Sequence, residues 1–244
     1  KMTGWSGRTM TQSDAVIEAQ WSEFMKPYLD TSQDGNSAFS RSMVISDVSG
    51  SMMCNNGIPM LCSIALGILI AQAQRHPAFK NKLITFHENP RFHEINDSDS
   101  LYKKVVSVKG MSWGGSTDYI KTHKLILNAA KKNNVPQDEF PNRIYVLSDM
   151  QFNQSSRNKT THVEISRMYS DSEYEMPETV YWNLNGAATN CPVTAGEGNV
   201  AMISGFSPSV LTTVLDGKLP NPEEIVRRLI EHDAYKRVEL LISE

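Results

Sequence analysis

Oxygen-bearing side chains recur along this chain in a pattern suited to a hard divalent cation. In Val44-Ile45-Ser46-Asp47-Val48-Ser49-Gly50-Ser51-Met52, a short apolar run ends in an acid and two hydroxyls spaced Asp-x-Ser-x-Ser. A buried strand ending this way delivers side-chain oxygens at its carboxyl edge. Such donors favour Mg²⁺ or Mn²⁺ over Zn²⁺ or Cu²⁺. Gly50 lets the backbone turn tightly between the serines. An apolar helical pattern follows from Ile58, so the serines fall in a strand-to-helix loop, where backbone N–H groups favour negative charge. The same residues also read as an ordinary turn that caps a helix, so the pattern needs distant partners. Gly114-Gly115-Ser116-Thr117-Asp118 precedes another helical pattern, and Leu147-Ser148-Asp149-Met150 ends the apolar run from Ile144 to Leu147.

Together, Asp47, Ser49, Ser51, Thr117 and Asp149 resemble the metal-ion-dependent adhesion site (MIDAS) of von Willebrand factor A domains, in order and at family-like spacing. The resemblance implies that the serines and threonine bind the ion directly or nearly so. The aspartates act directly or through water, and the sixth position stays open for a partner's carboxylate. Other segments narrow the likeness: Ile64-Ala65-Leu66-Gly67-Ile68-Leu69-Ile70, Lys82-Leu83-Ile84-Thr85-Phe86, Trp113 to Asp118, Tyr145 to Phe152 and Tyr181-Trp182-Asn183-Leu184. They resemble DUF2828, an intracellular family of plants, amoebae, other protists and giant viruses, from Ala19 to the C-terminus. Its A-type domain is similar to the C-terminal domain of the Ro RNA-binding (TROVE) protein.

The elements that must position these residues read as alternating strands and helices. Strands are expected at Ser42–Ser46, Lys82–Phe86, Arg143–Leu147, Thr179–Leu184, Cys191–Val193 and Asn199–Ser204, with an antiparallel edge strand at Arg91–Ile95 after the Asn89-Pro90 turn. Helices are expected at Ser13–Tyr28, Leu61–Gln74 (opened by Gly57-Ile58-Pro59), Ser100–Val108, Asp118–Lys132, His162–Tyr169, Pro208–Leu215 and Pro222–His232. The valines of Ser100–Val108 keep a strand reading open there. Lys1 to Gln12 reads as irregular, Asp171 to Pro177 as a flexible loop, and Arg237 to Ile242 as a last strand or helix end. Alternation of this kind predicts an α/β fold: a doubly wound, mostly parallel sheet with helices on both faces and one antiparallel edge strand. In such sheets ligands bind outside the strand carboxyl ends, where Asp47 and Asp149 both fall. The division expected is residues 1–40 as an N-terminal extension with an amphipathic helix and linker, and 41–244 as the A-type domain.

A chain of 244 residues suits one large domain or a domain with an extension. The net charge of −3 argues against a general nucleic-acid footprint, which needs a basic surface. Cys54, Cys62 and Cys191 are too few for a disulfide framework, which favours a reducing compartment. The expectation is an intracellular, cytoplasmic protein with no membrane contact. Because the chain opens on Lys1, a processed N-terminus and an organelle stay open. The longest apolar run, Ile64 to Ala73, reads as too short to span a bilayer.

Rival chemistries are weaker. Gly110-Met111-Ser112-Trp113-Gly114 matches the Gly-x-Ser-x-Gly nucleophile elbow, with Asp149 and His162 in triad order, but the helix does not begin directly after the serine. No Gly-Lys-Ser/Thr follows the glycines, as a Walker loop requires. His87 and His93 flank a turn without metal-ligand spacing, and Tyr181-Trp182 reads as core. The expectation is therefore not an enzyme but a binding module, using Mg²⁺ or Mn²⁺ to engage an acidic residue of a protein partner. A scaffold domain of a Ro-like RNA–protein complex is the alternative, with a serine hydrolase a distant third.

Overall fold

The computed structural model describes residues 2–3, 9–10, 14–29, 39–114, 117–149, 159–186, 199–206, 208–215, 227 and 230. Two short strands, β1 (Met2–Thr3) and β2 (Thr9–Met10), pair antiparallel where the sequence suggested irregular chain. Helix α1 (Ala15–Leu29) follows. Then come β3 (Ser42–Ser46), a single 3-10 turn at Gly50–Met53, α2 (Cys54–Ala73), β4 (Lys82–Thr85), β5 (Phe92–Glu94), α3 (Leu101–Lys109), α4 (Tyr119–Lys132) and β6 (Arg143–Ser148). The described elements end with α5 (Lys159–Ser170), β7 (Glu178–Asn183), β8 (Val200–Ser204) and α6 (Pro208–Leu215). Cys191–Val193, Arg237–Ile242 and most of Pro222–His232 lie outside the described residues.

Six strands form one sheet in the order β5-β4-β3-β6-β7-β8, parallel throughout except for the β4–β5 pair. The architecture is the doubly wound α/β arrangement that the sequence predicts. β3 is buried at every position, and β6 and β7 at all but their first. Side chains alternate across the sheet, as a pleated strand requires. Val44, Leu83, Tyr145, Leu147, Val180 and Trp182 pack with α1, α2, α3 and α6. Met43, Ile45, Ile84, Ile144, Val146 and Tyr181 pack with α4 and α5 on the opposite face. Strands covered on both sides must be apolar at successive positions, which explains runs such as Met-Val-Ile and Ile-Tyr-Val-Leu.

Chain direction reverses between β3 and β6. From β3 the chain moves through α2 to β4 on one side, while β6 lies on the other and leads to β7 and β8. The carboxyl ends of β3 and β6 are therefore neighbours at a switch point, where a crevice forms.

Local chemistry accounts for the element ends. Ser100 caps α3 by accepting the Lys103 N–H at 3.3 Å, and Val108 is buried beneath it, so its valines serve a helix. Asp118 caps α4 through the Lys121 N–H at 2.9 Å. α2 begins irregularly: Asn55, Asn56 and Gly57 have φ of 48°, 60° and 75°. Asn and Gly tolerate this left-handed region best, and regular helix starts at Ile58 with Pro59 in its first turn. By length and composition Gly50–Ala73 could cross a membrane, a longer stretch than the apolar run suggests. Here it packs against β3 and β4, with Ile64, Ile68, Leu69 and Ile70 fully buried. Asp171 to Pro177, expected as a flexible loop, is anchored by Tyr174, which stacks on Phe140 at 4.4 Å and donates to the Val135 carbonyl at 2.9 Å. α1 docks through Met25 and Trp21, and Glu18 accepts the Leu101 N–H at 3.0 Å.

A Cβ at Gly67 would lie 2.4 Å from Ser46 Oγ and 2.7 Å from a Leu83 methyl. Gly67→Ala gains about 1 kcal/mol of helix propensity, but overpacking costs roughly 1–3 kcal/mol. The variant should therefore unfold at lower urea than wild type. His123 is buried between α4 and α5, its Nδ1 2.9 Å from Tyr169 Oη. Burial first, and the nearby His162 second, push its pKa down to about 4. Unfolded histidine titrates near 6.5, so stability is full above that pH and falls as pH drops towards 4, by up to about 3 kcal/mol. Urea unfolding between pH 7 and pH 4 should show this loss in wild type and a smaller one in His123→Gln.

Candidate metal centre

Asp47 follows β3 directly, and its N–H still donates to the Leu147 carbonyl at 3.0 Å, extending the β3–β6 pairing. Its carboxylate is 1% exposed and held at both oxygens. Oδ1 accepts the Ser49 N–H at 2.8 Å, and Oδ2 accepts the Ser148 hydroxyl at 2.9 Å. The first of these bonds folds the loop back so that Ser49 and Ser51 present their Oγ atoms 3.0 Å apart. Asp149 follows β6 directly and is also 1% exposed. Burial is the main force raising the Asp47 pKa. The Ser49 and Ser148 hydrogen bonds oppose it, and repulsion from Asp149 adds to it.

Thr117 arrives from the other side of β3. The loop after α3 pairs with the end of β4: His87 bridges Gly114, the Glu88 N–H donates to Gly114 at 3.3 Å, and the Asp118 N–H donates to His87 at 3.4 Å. Thr117, between these anchors, is 3% exposed, and its Oγ1 has no hydrogen-bond partner among the described residues. A buried hydroxyl without a partner is costly unless something else binds it. The loops meet at Gly50, where a Cβ would lie 4.0 Å from the Trp113 ring.

The structure thus unites Asp47, Ser49 and Ser51 with Asp149, and carries Thr117 to the adjoining strand end. Sequence reasoning missed two supporting residues. Ser148 steers Asp47 directly; its signal was a hydroxyl ending an otherwise apolar buried strand. Tyr119 lies fully buried and is held neutral, its pKa driven well above the ordinary value by burial, then by Tyr181 and the Asp47 charge. Only the structure shows that the start of α4 approaches β3. A further tie joins loops across the crevice: Asn55 donates to Asn185 at 2.8 Å.

Two buried carboxylates that repel each other, two adjacent serine hydroxyls and an unpartnered buried threonine hydroxyl form a hard-oxygen donor set that fits Mg²⁺ or Mn²⁺. Among the described residues no group of three or more His, Cys, Asp or Glu is placed to hold a metal, so the hydroxyls are essential to the set. The elbow-like Ser112 follows a helix, not a strand, and His162 lies on α5. His87 and His93 do not bond each other; His93 Nε2 pairs with Ser107 Oγ at 2.8 Å.

Residues 41–240 match the family model described as Domain of unknown function (DUF7788). The matching model is DUF7788, whereas the sequence segments resemble DUF2828. "Uncharacterized protein L728" of Acanthamoeba polyphaga mimivirus is 31% identical over 221 residues, covering 89% of this chain and 37% of that protein. The chain thus spans well under half the length of this relative. The fold is similar to the crystal structure of the Deinococcus radiodurans Ro (RSR) protein, with a TM-score of 0.50 and 20% identity over 75% of this chain and 36% of that one.

Burying the Asp47 carboxylate raises its pKa, so its charged form destabilises the metal-free fold above the folded pKa and ceases to do so as pH falls below the unfolded one. Asn at this position keeps an acceptor for the Ser49 N–H and gains a donor for Ser148 Oγ. In EDTA at neutral pH, Asp47→Asn should melt at or above the wild-type temperature. A lower melting temperature by calorimetry would show that the carboxylate stabilises the metal-free fold.

Proposed function

This chain is a member of the DUF7788 family, and on that footing we propose that it is a metal-ion-dependent protein-binding module. Asp47, Ser49, Ser51, Thr117 and Asp149 would hold Mg²⁺ or Mn²⁺, and a protein partner would supply an acidic residue to the open position. The buried Thr117 hydroxyl carries this reading: it lacks a partner among the described residues at the edge where two carboxylates are held out of water. When bound, the ion supplies a Lewis-acidic position that a partner carboxylate fills better than a neutral group. The chain's own residues orient the donors: the Ser49 N–H and Ser148 hydroxyl fix both oxygens of Asp47, and the β3–β6 register, continued by one residue, sets Asp47 opposite Ser148, one position before Asp149. No bond is made or broken in this mechanism. Kinship with DUF2828 and an intracellular, cytoplasmic setting without membrane contact belong to the same reading.

A second reading, a scaffold domain in a Ro-like RNA–protein complex, draws on the likeness to the Ro structure. The net charge of −3 makes it the weaker, because nucleic-acid binding draws on clustered basic residues.

Isothermal titration tests the metal site. Wild type should bind Mg²⁺ or Mn²⁺, Asp149→Ala should lose binding, and Thr117→Ala should weaken it by about tenfold while circular dichroism stays unchanged. Equal affinity in all three would move the ion, or the function, elsewhere.

A further inference from the structure

Beside the proposed metal centre lies a second concavity of about 340 Å³. It opens between the β4–β5 hairpin and the loop after α3, and its lining includes His87, Asn89, Arg91 and Ser112. None of the described residues lining it is acidic. The hydrogen bonds around it turn its polar groups into donors. A backbone N–H can only donate, so the Asn89 N–H bond to His87 Nδ1 at 2.9 Å makes that nitrogen an acceptor. In the neutral ring the proton then sits on Nε2. Lys121 Nζ donates to Asn89 Oδ1 at 2.8 Å, leaving the Asn89 amide NH₂ as the free end. His93 forms part of the wall, engaged with Ser107 and held neutral by burial. Arg91 adds an exposed guanidinium, which cannot lose its proton and matches a carboxylate in a two-pronged contact. Ser112 contributes a hydroxyl. Such a set of donors around one cation suits an anion.

Trp113 connects this concavity to the metal loop. It adjoins Ser112 in sequence, its ring reaches Gly50 between the two proposed serine ligands, and it is 53% exposed. A ligand running from the metal position to Arg91 would cross an apolar aromatic surface.

We infer that the Arg91 concavity is a second anion subsite for the partner, so that the module reads a segment with two acidic residues flanking an apolar one. The first acid occupies the metal position, the apolar side chain covers Trp113, and the second acid pairs with Arg91, His87 and Asn89. This rests on the metal-dependent binding reading. The partner is protein: a nucleic acid would need several phosphate contacts, whereas this subsite offers one arginine on a chain of net charge −3.

The test is calorimetric titration of the full chain, in Mg²⁺ and in EDTA, with synthetic peptides. One carries a single aspartate followed by leucine; the others keep that leucine and add a second aspartate two, three or four positions beyond the first. In Mg²⁺ the best two-acid peptide should bind about tenfold or more tightly than the one-acid peptide, the effect of one added charge-assisted contact. Arg91→Ala should reduce it to the one-acid affinity, and Trp113→Ala should weaken both. Mg²⁺-dependent binding with no two-acid advantage at any spacing overturns the subsite and leaves the metal reading standing. An Arg91-dependent advantage that persists in EDTA and in Asp149→Ala supports the subsite and overturns the metal reading. Failure of every peptide, with Arg91-dependent binding of an oligouridylate instead, overturns the protein partner in favour of RNA.

Discussion

The constraint on which this molecule turns is the burial of two carboxylates at the ends of neighbouring parallel strands. Asp47 and Asp149 are each 1% exposed, and each directly follows a strand of the β3–β6 pair. Like charges held close in low dielectric raise each other's energy. The surroundings answer with oriented dipoles, the Ser49 N–H and the Ser148 hydroxyl, which offset part of that cost at Asp47. A divalent cation would offset much more. The geometry is therefore a poor one for folding alone and a good one for receiving positive charge, a conflict between local stability and global fold of the kind expected at functional sites.

Much of this was legible in the sequence, for a definite reason. A parallel strand buried on both faces must be apolar at nearly every position, so an acid at its end stands out, and β3 appears with the boundaries its apolar run suggests. Helix caps were equally readable, because Ser100 and Asp118 bond N–H groups three residues ahead. Contacts between distant segments were less accessible. Nothing local in Leu147-Ser148-Asp149 shows that Ser148 reaches across to Asp47, since that contact depends on β3 and β6 being neighbours. The approach of Tyr119 to Asp47 likewise depends on where α4 begins relative to β3. β1 and β2 were missed because two-residue strands carry no periodicity.

The loops around the crevice differ in kind from the strands beneath it. Strand pairing fixes where Asp47 and Asp149 lie, within the limits of the sheet. Ser49, Ser51 and Thr117 depend on loops whose shape is set by few contacts: the Asp47–Ser49 turn, the approach of Trp113 to Gly50, and the bridge from His87 to Gly114. On the proposed reading, charge would be supplied by the rigid part of the molecule, and neutral coordination by the adjustable part. Such a division would let small loop changes tune affinity or partner choice while the anionic centre stays in place, in keeping with rigid scaffolds that position functional loops.

The stability of the fold comes from elsewhere. Apolar clusters pack on both faces of the sheet, and residues such as Tyr145, Trp182, Phe79 and Phe140 are completely buried in them. These contacts lie in the strands, the helices and the turns that join them, such as those carrying Phe79 and Phe140, and none requires an ion. A small zinc domain, by contrast, draws its folding energy from the metal and collapses without it. A domain already held together by two cores would not depend on an ion at its crevice for its fold. On the proposed reading, that separation is what a reversible contact needs: an ion and a partner carboxylate would complete each other's coordination without the fold being at stake in each exchange.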